Sequence, residues 1–253
     1  MIGILVVTFL IFLSTIFVIK KHPQFDEKKQ WSGNTESITL LENIKAFGRL
    51  TSNPQLLLNG FYCMAICGTT AIFADLWGIS YFNHVFGYSQ ETAAYASSLI
   101  FIGVALSSPM WGFLATLIDN NKSLLVSASA IGVVLLSILL YVKVSIPILF
   151  VLCFLFGSVQ SVHVLNFTII TKKIDKKNLG TGIAFINLFI PLSGAILQPI
   201  SGMLMQFFGQ HSNSTAQAYQ YAMILIPVLL VISTILALFL KEKSSHDVEE
   251  ITH

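Results

Sequence analysis

The sequence predicts an all-α fold in which a bundle of helices crosses a membrane several times. Of the 253 residues, 55% are hydrophobic and 10% are charged, and the mean hydropathy is +0.77. A soluble domain usually carries about 25% charged residues. Apolar runs of about twenty residues recur, and a helix of that length crosses a hydrocarbon core. These observations exclude a soluble domain, a disordered chain and a disulfide-rich scaffold. The net charge of +2 is too small to indicate binding to nucleic acid.

Seven segments are long and apolar enough to span a lipid bilayer. They are residues 2–19, 56–82, 92–116, 123–142, 146–171, 179–208 and 218–240. Each must be helical, because lipid offers no partners for backbone N–H and C=O groups. The chain therefore divides into a first transmembrane helix (1–19), a connecting loop (20–55), a six-helix unit (56–240) and a tail (241–253).

The basic residues predict how these spans are oriented. With Met1 outside, only Lys143 of the fourteen Lys and Arg residues falls on the outer side. This distribution follows the positive-inside rule, so we expect an outer amino end and a cytoplasmic carboxyl end. Lys20 and Lys21 follow the first apolar run, which favours a retained span over a cleaved signal peptide.

The connecting loop ends in a segment with apolar residues three or four apart. These residues are Leu40, Leu41, Ile44, Phe47 and Leu50. The spacing predicts a short amphipathic helix on the inner membrane surface, and the alternative is a disordered tether.

The three cysteines, Cys63, Cys67 and Cys153, all lie inside predicted spans. Cys63 and Cys67 are four residues apart, but the sequence offers no further soft-metal ligands near them. We therefore expect free thiols that pack as small apolar groups, with no metal site and no cofactor.

Two predicted spans share the pattern Pro-x-x-Gly-x-Leu after a run of small residues. It begins at Pro109 in one and at Pro199 in the other, and the two spans cross the membrane in opposite directions. Spans 2–4 and 5–7 are therefore predicted to form an inverted repeat. The alternative is that small residues and proline recur in any packed membrane bundle.

Glycine and proline are predicted to control how the helices pack. Small residues let two helix backbones approach closely, and a proline inside a helix permits a kink. The small residues concerned are Gly103, Ser107, Gly112, Gly194 and Gly202, and the prolines are Pro109, Pro191, Pro199 and Pro227.

Several stretches resemble one known family. The segments GTGIAFIN (180–187) and PLSGAILQPISG (191–202) are similar to the eleventh helix region of major facilitator superfamily transporters. LWG (76–78) with GYS (87–89) resembles the passage from helix seven to helix eight, and GVALSSPMWG (103–112) resembles helix eight. The similarity spans nearly the whole chain and suggests the sugar-phosphate and organic-anion permeases.

The resemblance implies that the chain corresponds to helices six to twelve, the carboxyl half of a transporter. The expected function is secondary transport of a small solute by alternating access, as a symporter or antiporter in a bacterial inner membrane, without enzymatic activity. A separate amino-terminal half or a second copy would complete the cavity, or the chain is a truncated, non-transporting remnant. One inner-loop motif departs from the family, because Thr116 stands in place of its aspartate and the arginines are absent.

Polar residues at membrane depth are the candidate site residues, because burying them in lipid is costly. Asp75 lies roughly 10 Å outward from the middle of its span, and is a candidate for solute binding or proton coupling. Gln160 and His163 lie three residues apart on a helix that lines the cavity in the family. His163 can exchange protons near neutral pH. For all three residues, the alternative is a structural or solvated polar group.

Further polar and aromatic residues are candidates with a structural alternative. Trp77 and Tyr81 can stack on a solute or pack as aromatic anchors. Asn187 and Gln198 are expected to be buried, where hydrogen bonding between helices is the favoured interpretation.

A seven-helix receptor is the main rival function. Its topology matches, but the last span (218–240) has no lysine that could bind retinal. The predicted outer loops also lack cysteine, and no phosphate loop, zinc-type His/Glu pair or nucleophile elbow supports an enzyme.

Overall fold

A computed structural model describes residues 47–118, 120–174 and 178–241, all within one compact unit, Ile44–His253. In this part of the chain, six helices are long and apolar enough to cross a membrane. They are α1 (Pro54–Phe86), α2 (Gln90–Leu117), α3 (Asn121–Tyr141), α4 (Ile146–Thr171), α5 (Leu179–His211) and α6 (Thr215–Phe239).

These six helices match the last six predicted spans. The largest shift of a boundary moves the end of α1 from residue 82 to Phe86. The predicted first span (2–19) lies outside the described residues, so the count of seven stays a prediction. Of the predicted amphipathic segment, residues 47–51 are helical, and the Phe47 ring meets that of Phe185 at 5.4 Å between centroids.

Helix ends follow local sequence signals. Asn53 accepts a hydrogen bond from the backbone N–H of Gln55 (3.0 Å), and Pro54 occupies the first turn, where no backbone donor is needed. Gly87 ends α1 with φ +70°, a conformation that glycine adopts without strain. Ser89 caps α2 two residues later, so the connection is shorter than the gap 83–91 left between the two predicted spans.

Three helices depart from regular α geometry near their middle, and in α6 a turn at Met223 and Ile224 interrupts the helix. In α1, Ala71–Trp77 forms a π-helix, and in α4, Ser161–Val164 forms a 3₁₀ turn. The helices that contain Pro109, Pro191 and Pro199 continue through these residues. The π-helix and the 3₁₀ turn therefore lie away from the prolines at which kinks are predicted, whereas the turn in α6 lies three residues before Pro227. Such turns often occur at functional sites.

The packing of the helices repeats when the first three are exchanged with the last three. The exchange pairs α1 with α4, α2 with α5 and α3 with α6. The contact of α2 with α4 then corresponds to that of α5 with α1, and the contact of α6 with α1 corresponds to that of α3 with α4. The exchange also converts the contact of α3 with α6 into itself, whereas the contact of α5 with α6 is not matched to the same extent between α2 and α3. This arrangement agrees with the predicted inverted repeat, and it places the π-helix and the 3₁₀ turn in equivalent helices.

Gln55 joins the two ends of the bundle. Its amide nitrogen donates to the carbonyl of Phe239 (3.4 Å), and its amide oxygen accepts from the backbone N–H of Lys241 (2.8 Å). The start of α1 and the end of α6 therefore lie on one side, as six crossings require. By the alternation of the helices, Lys122 shares that side, and Lys143 lies opposite. This separation matches the predicted pattern of basic residues.

The closest approach of two helices is made by glycines. A Cβ at Gly103 would lie 2.9 Å from the backbone nitrogen of Ser158, and one at Gly157 would lie 2.7 Å from the carbonyl carbon of Ile100. Side chains other than hydrogen do not fit there, so α2 and α4 pack backbone against backbone. This confirms the packing role predicted for Gly103.

Gly112 and Gly202 make no such contact within the described part of the chain. No atom of the described residues lies within 4 Å of a Cβ built at either position. Gly194 makes only ordinary contact, since its Cβ would lie 4.0 Å from that of Ala71. Small residues mark a helix face that can be approached closely, but the sequence does not reveal whether this chain covers that face.

Candidate functional site

A polar cavity of about 320 Å³ lies between α1, α2, α4 and α5. Both irregular segments contribute to its wall, since Asp75 belongs to the π-helix and His163 to the 3₁₀ turn. The cavity falls in the lower part of the size range of about 300–1,000 Å³ that is usual for small-molecule sites. Its polar side chains are Cys67, Thr70, Asp75, Gln160, His163, Ser193 and Gln198.

Asp75 presents its carboxylate at this cavity. Its side chain is exposed, and it makes no hydrogen bond or ion pair with another residue of the described part of the chain. Carboxylates are rare inside membrane spans, because water must be removed from them at high cost. Asp75 is therefore available to a solute or a proton.

Gln160 links α4 by hydrogen bonds to the turn of α1 that precedes the π-helix. Its side chain is only 2% exposed, and its amide nitrogen donates to the Ile66 carbonyl (3.3 Å) and to the Thr69 hydroxyl. A carbonyl can only accept, so these contacts fix which end of the amide faces α1. The amide oxygen then has no partner among the described residues.

His163 is oriented by its own helix. Its Nδ1 lies 3.0 Å from the carbonyl oxygen of Gln160, so Nδ1 carries the proton in that contact. In the neutral ring, Nε2 remains a hydrogen-bond acceptor beside the cavity.

Gln198 ties α5 to the π-helix. Its amide nitrogen donates to the Ala71 carbonyl (3.0 Å), which confirms the predicted hydrogen bond between helices. Pro191 and Gly194 line the same wall of the cavity. The two amides of Gln160 and Gln198 thus hold the irregular part of α1 from opposite sides.

The comparison with family models identifies the chain. The model of the Major Facilitator Superfamily matches residues 76–252, well over half of the sequence. The chain belongs to the major facilitator superfamily. No curated protein matches it. Family membership makes it an integral membrane protein of a transporter family whose members carry small solutes across a lipid bilayer, and it favours a transporter over a receptor or an enzyme.

Trp77 and Tyr81 lie outside the cavity of this superfamily member. The Trp77 indole donates to the Ser201 hydroxyl (2.9 Å), and its ring meets that of Tyr219 edge to face. Tyr81 is fully buried and donates its hydroxyl to the Leu140 carbonyl. Of the two predicted alternatives, aromatic packing describes both side chains, because each packs against neighbouring helices.

Asn187 also differs from its prediction, because its side chain is exposed and not buried. It is absent from the cavity wall. Since it precedes Pro191 by four residues, it lies one turn away on the same face of α5. At Asn187 this face of α5 is exposed, because no other helix in the described part of the chain covers it there.

Three polar cavity residues were not predicted from the sequence: Cys67, Thr70 and Ser193. Cys67 reads as a small packing residue, and its sulfur lies 4.0 Å from that of Cys63. The Ser193 hydroxyl bonds to the Ile190 carbonyl of its own helix, and the Thr70 hydroxyl accepts a hydrogen bond from the Gln160 amide (3.5 Å). Spacing gave no signal, because Thr70 and Ser193 each lie five residues from Asp75 or Gln198, whereas positions on one helix face are three or four residues apart.

A second cavity, of about 580 Å³, lies beside α2 and α4. Its wall is almost wholly apolar and includes Pro109, Met110, Trp111 and Phe113. The Trp111 indole is already bonded to the Ser158 carbonyl (2.7 Å). With so few polar groups to orient a ligand, this cavity is the weaker candidate despite its larger volume.

Proposed function

We propose that the six helices form one half of a secondary transporter that moves a small solute by alternating access. The observation that carries this proposal is the polar cavity between α1 and α4, which are related by the repeat and each irregular near the middle of the membrane. Secondary transporters bind their solutes at such a repeat interface. The residues proposed to bind the solute or to carry a coupled proton are Asp75, Gln160 and His163.

We further propose that a second six-helix unit covers α2 and α5. Among the six described helices these are the least buried, with 17% and 28% of their most apolar stretches buried, against 39% or more in the other four. Both also flank the polar cavity. The second unit closes that cavity, whether it comes from a separate polypeptide, from a second copy or from the same polypeptide.

Rocking of one half against the other is the proposed motion. The glycine contact between α2 and α4 and the amides of Gln160 and Gln198 hold the described half together as a rigid unit. Thr116 bonds to the Phe113 carbonyl of its own helix (2.7 Å), so no charge pair comes from this position. Gating at the cytoplasmic side therefore relies on other contacts.

The resemblance points to sugar phosphates or organic anions as one solute class. None of the residues that line the polar cavity is Lys or Arg. For an anion, the binding cations must come from the second half. Proton coupling, as symport or antiport, would fall to Asp75 or His163. The proposed setting is a bacterial inner membrane, with the carboxyl end in the cytoplasm.

Uptake into proteoliposomes tests this function. The chain is purified from its native membrane, both with its tightly bound partners and stripped of them, and is supplied with a labelled sugar phosphate, dicarboxylate or organic cation. Uptake in at least the first preparation is expected, with exchange against unlabelled solute inside. If neither preparation moves any probe, the transport proposal fails and the remnant interpretation replaces it.

The second half is tested by photo-crosslinking in native membranes. Met110→Cys on α2 and Met203→Cys on α5 replace exposed residues, and Ile131→Cys on α3 is the matched control. Each variant carries Cys67→Ser and is labelled with a photoreactive maleimide. We expect a protein adduct from positions 110 and 203 and only lipid adducts from 131. Equal lipid labelling at all three positions would contradict a covering half.

A further inference from the structure

The hydrogen-bond donors that line the polar cavity are largely committed to the protein backbone. The amide nitrogens of Gln160 and Gln198 donate to carbonyls of α1, as described above. The Ser193 hydroxyl donates to the Ile190 carbonyl (2.6 Å), and Nδ1 of His163 donates to the carbonyl of its own helix. The Thr70 hydroxyl, the second amide hydrogen of Gln198 and the weak donor of the Cys67 thiol are the remaining donors among the described lining residues.

The acceptors of the same cavity remain without partners in the described part of the chain. They are the Asp75 carboxylate, the amide oxygens of Gln160 and Gln198, and Nε2 of neutral His163. The Gln160 oxygen is the most telling, because its side chain is 2% exposed and a buried acceptor without a donor is costly. The cavity is thus short of donors.

The charge of the residues that line the cavity also disfavours an anionic solute. Asp75 is the only acidic residue among the residues that line the cavity, and no Lys or Arg accompanies it. An anionic solute would meet a like charge and a set of acceptors. A cation that carries N–H groups would satisfy both, through charge-assisted hydrogen bonds that are strong where water is excluded.

We infer that this cavity binds a small organic cation that carries N–H donors, such as a primary ammonium or a guanidinium compound, with Asp75 as its counter-ion. This inference rests on the proposed function and names its solute class. Gln160, Gln198 and His163 supply acceptors around the bound group. The class differs from the sugar phosphates and organic anions that the sequence suggests.

Cys67 provides a direct measurement of binding. It lines the cavity, whereas Cys63 and Cys153 are fully buried, so a small maleimide reacts first with Cys67. The native complex is labelled in the presence of butylguanidinium, butylammonium, tetraethylammonium or succinate. Tetraethylammonium has the same charge but no N–H group, and succinate has the opposite charge.

We expect butylguanidinium and butylammonium to slow labelling of Cys67 about tenfold at saturation, with little protection by the other two probes. Asp75→Asn should weaken the protection by about tenfold in concentration or more, because a charge-assisted hydrogen bond is lost. Asp75→Glu should restore part of it. Glu91→Gln, at the start of α2 and outside the cavity, is the matched control and should bind like the parent.

Several outcomes would overturn the inference. These are protection by succinate alone, equal protection by tetraethylammonium and butylammonium, or full protection in the Asp75→Asn variant while Cys63 and Cys153 stay unlabelled. Uptake of anions without cation protection would leave the proposed transport standing and defeat only the cation class. Cation protection without any uptake would support the cation class and defeat the proposed transport.

Discussion

Replacing Gly157 by alanine is expected to separate α2 from α4 and to unfold much of this transporter half. The added methyl group would lie 2.7 Å from the carbonyl carbon of Ile100 and 2.9 Å from its Cα. These are backbone atoms, so no side-chain rotation relieves the clash. Overpacking of a tight interior costs about 1–3 kcal/mol, and a contact between backbones lies at the upper end.

Thermal unfolding in detergent, followed by size-exclusion chromatography, measures this effect. Gly112→Ala in α2 is the matched control, because nothing in the described residues lies within 4 Å of its added methyl group. We expect a lower unfolding temperature and aggregation for Gly157→Ala, and no change for Gly112→Ala. Identical unfolding of the two variants would mean that α2 and α4 do not meet as described.

Replacing Gln160 by leucine is expected to abolish uptake and to loosen the bundle. The change keeps the approximate volume but removes the donor to the Ile66 carbonyl and to the Thr69 hydroxyl, so both lose a bond that ties α1 to α4. Hydrogen bonds between membrane helices contribute about 0.6–2 kcal/mol. We therefore expect a modest loss of stability and a much larger loss of uptake, since Gln160 also lines the cavity.

Gln206→Leu provides the control, because Gln206 is exposed on α5 and lies outside the cavity. Both variants are assayed for uptake and for thermal unfolding in the same preparation. Gln160→Leu should lower uptake at least about tenfold while most of the protein stays folded. Unchanged uptake in this variant would remove Gln160 from the solute path.

The spans could be predicted from the sequence because length and hydropathy decide them. Lipid leaves a run such as 123–142 no alternative to a helix, and the structure shifts its ends by only one or two residues, to Asn121–Tyr141. The π-helix could not be predicted in this way. Ala71–Trp77 contains neither glycine nor proline, and its register depends on contacts with Gln160 and Gln198, which come from distant parts of the sequence.

The candidate site was predicted in part for a related reason. Asp75, Gln160 and His163 stand out because polar groups are rare at that depth, and the structure brings all three to one cavity. Tyr81 and Asn187 were misplaced, because each needs the rotation of its helix to be known. An extra residue in the π turn changes that rotation in α1, so simple helical spacing fails beyond it.

The bridge that Gln55 makes between the start of α1 and the end of α6 has a consequence for gene architecture. The start of α1 and the end of α6 are neighbours. A linker to another six-helix unit therefore joins this unit at nearly the same place, whether the other unit precedes or follows it in the sequence. Fusion in either order therefore needs no rearrangement of the helices. A circularly permuted version, closed by a short peptide across Gln55 and opened at an outer loop, should insert and pack in the same way.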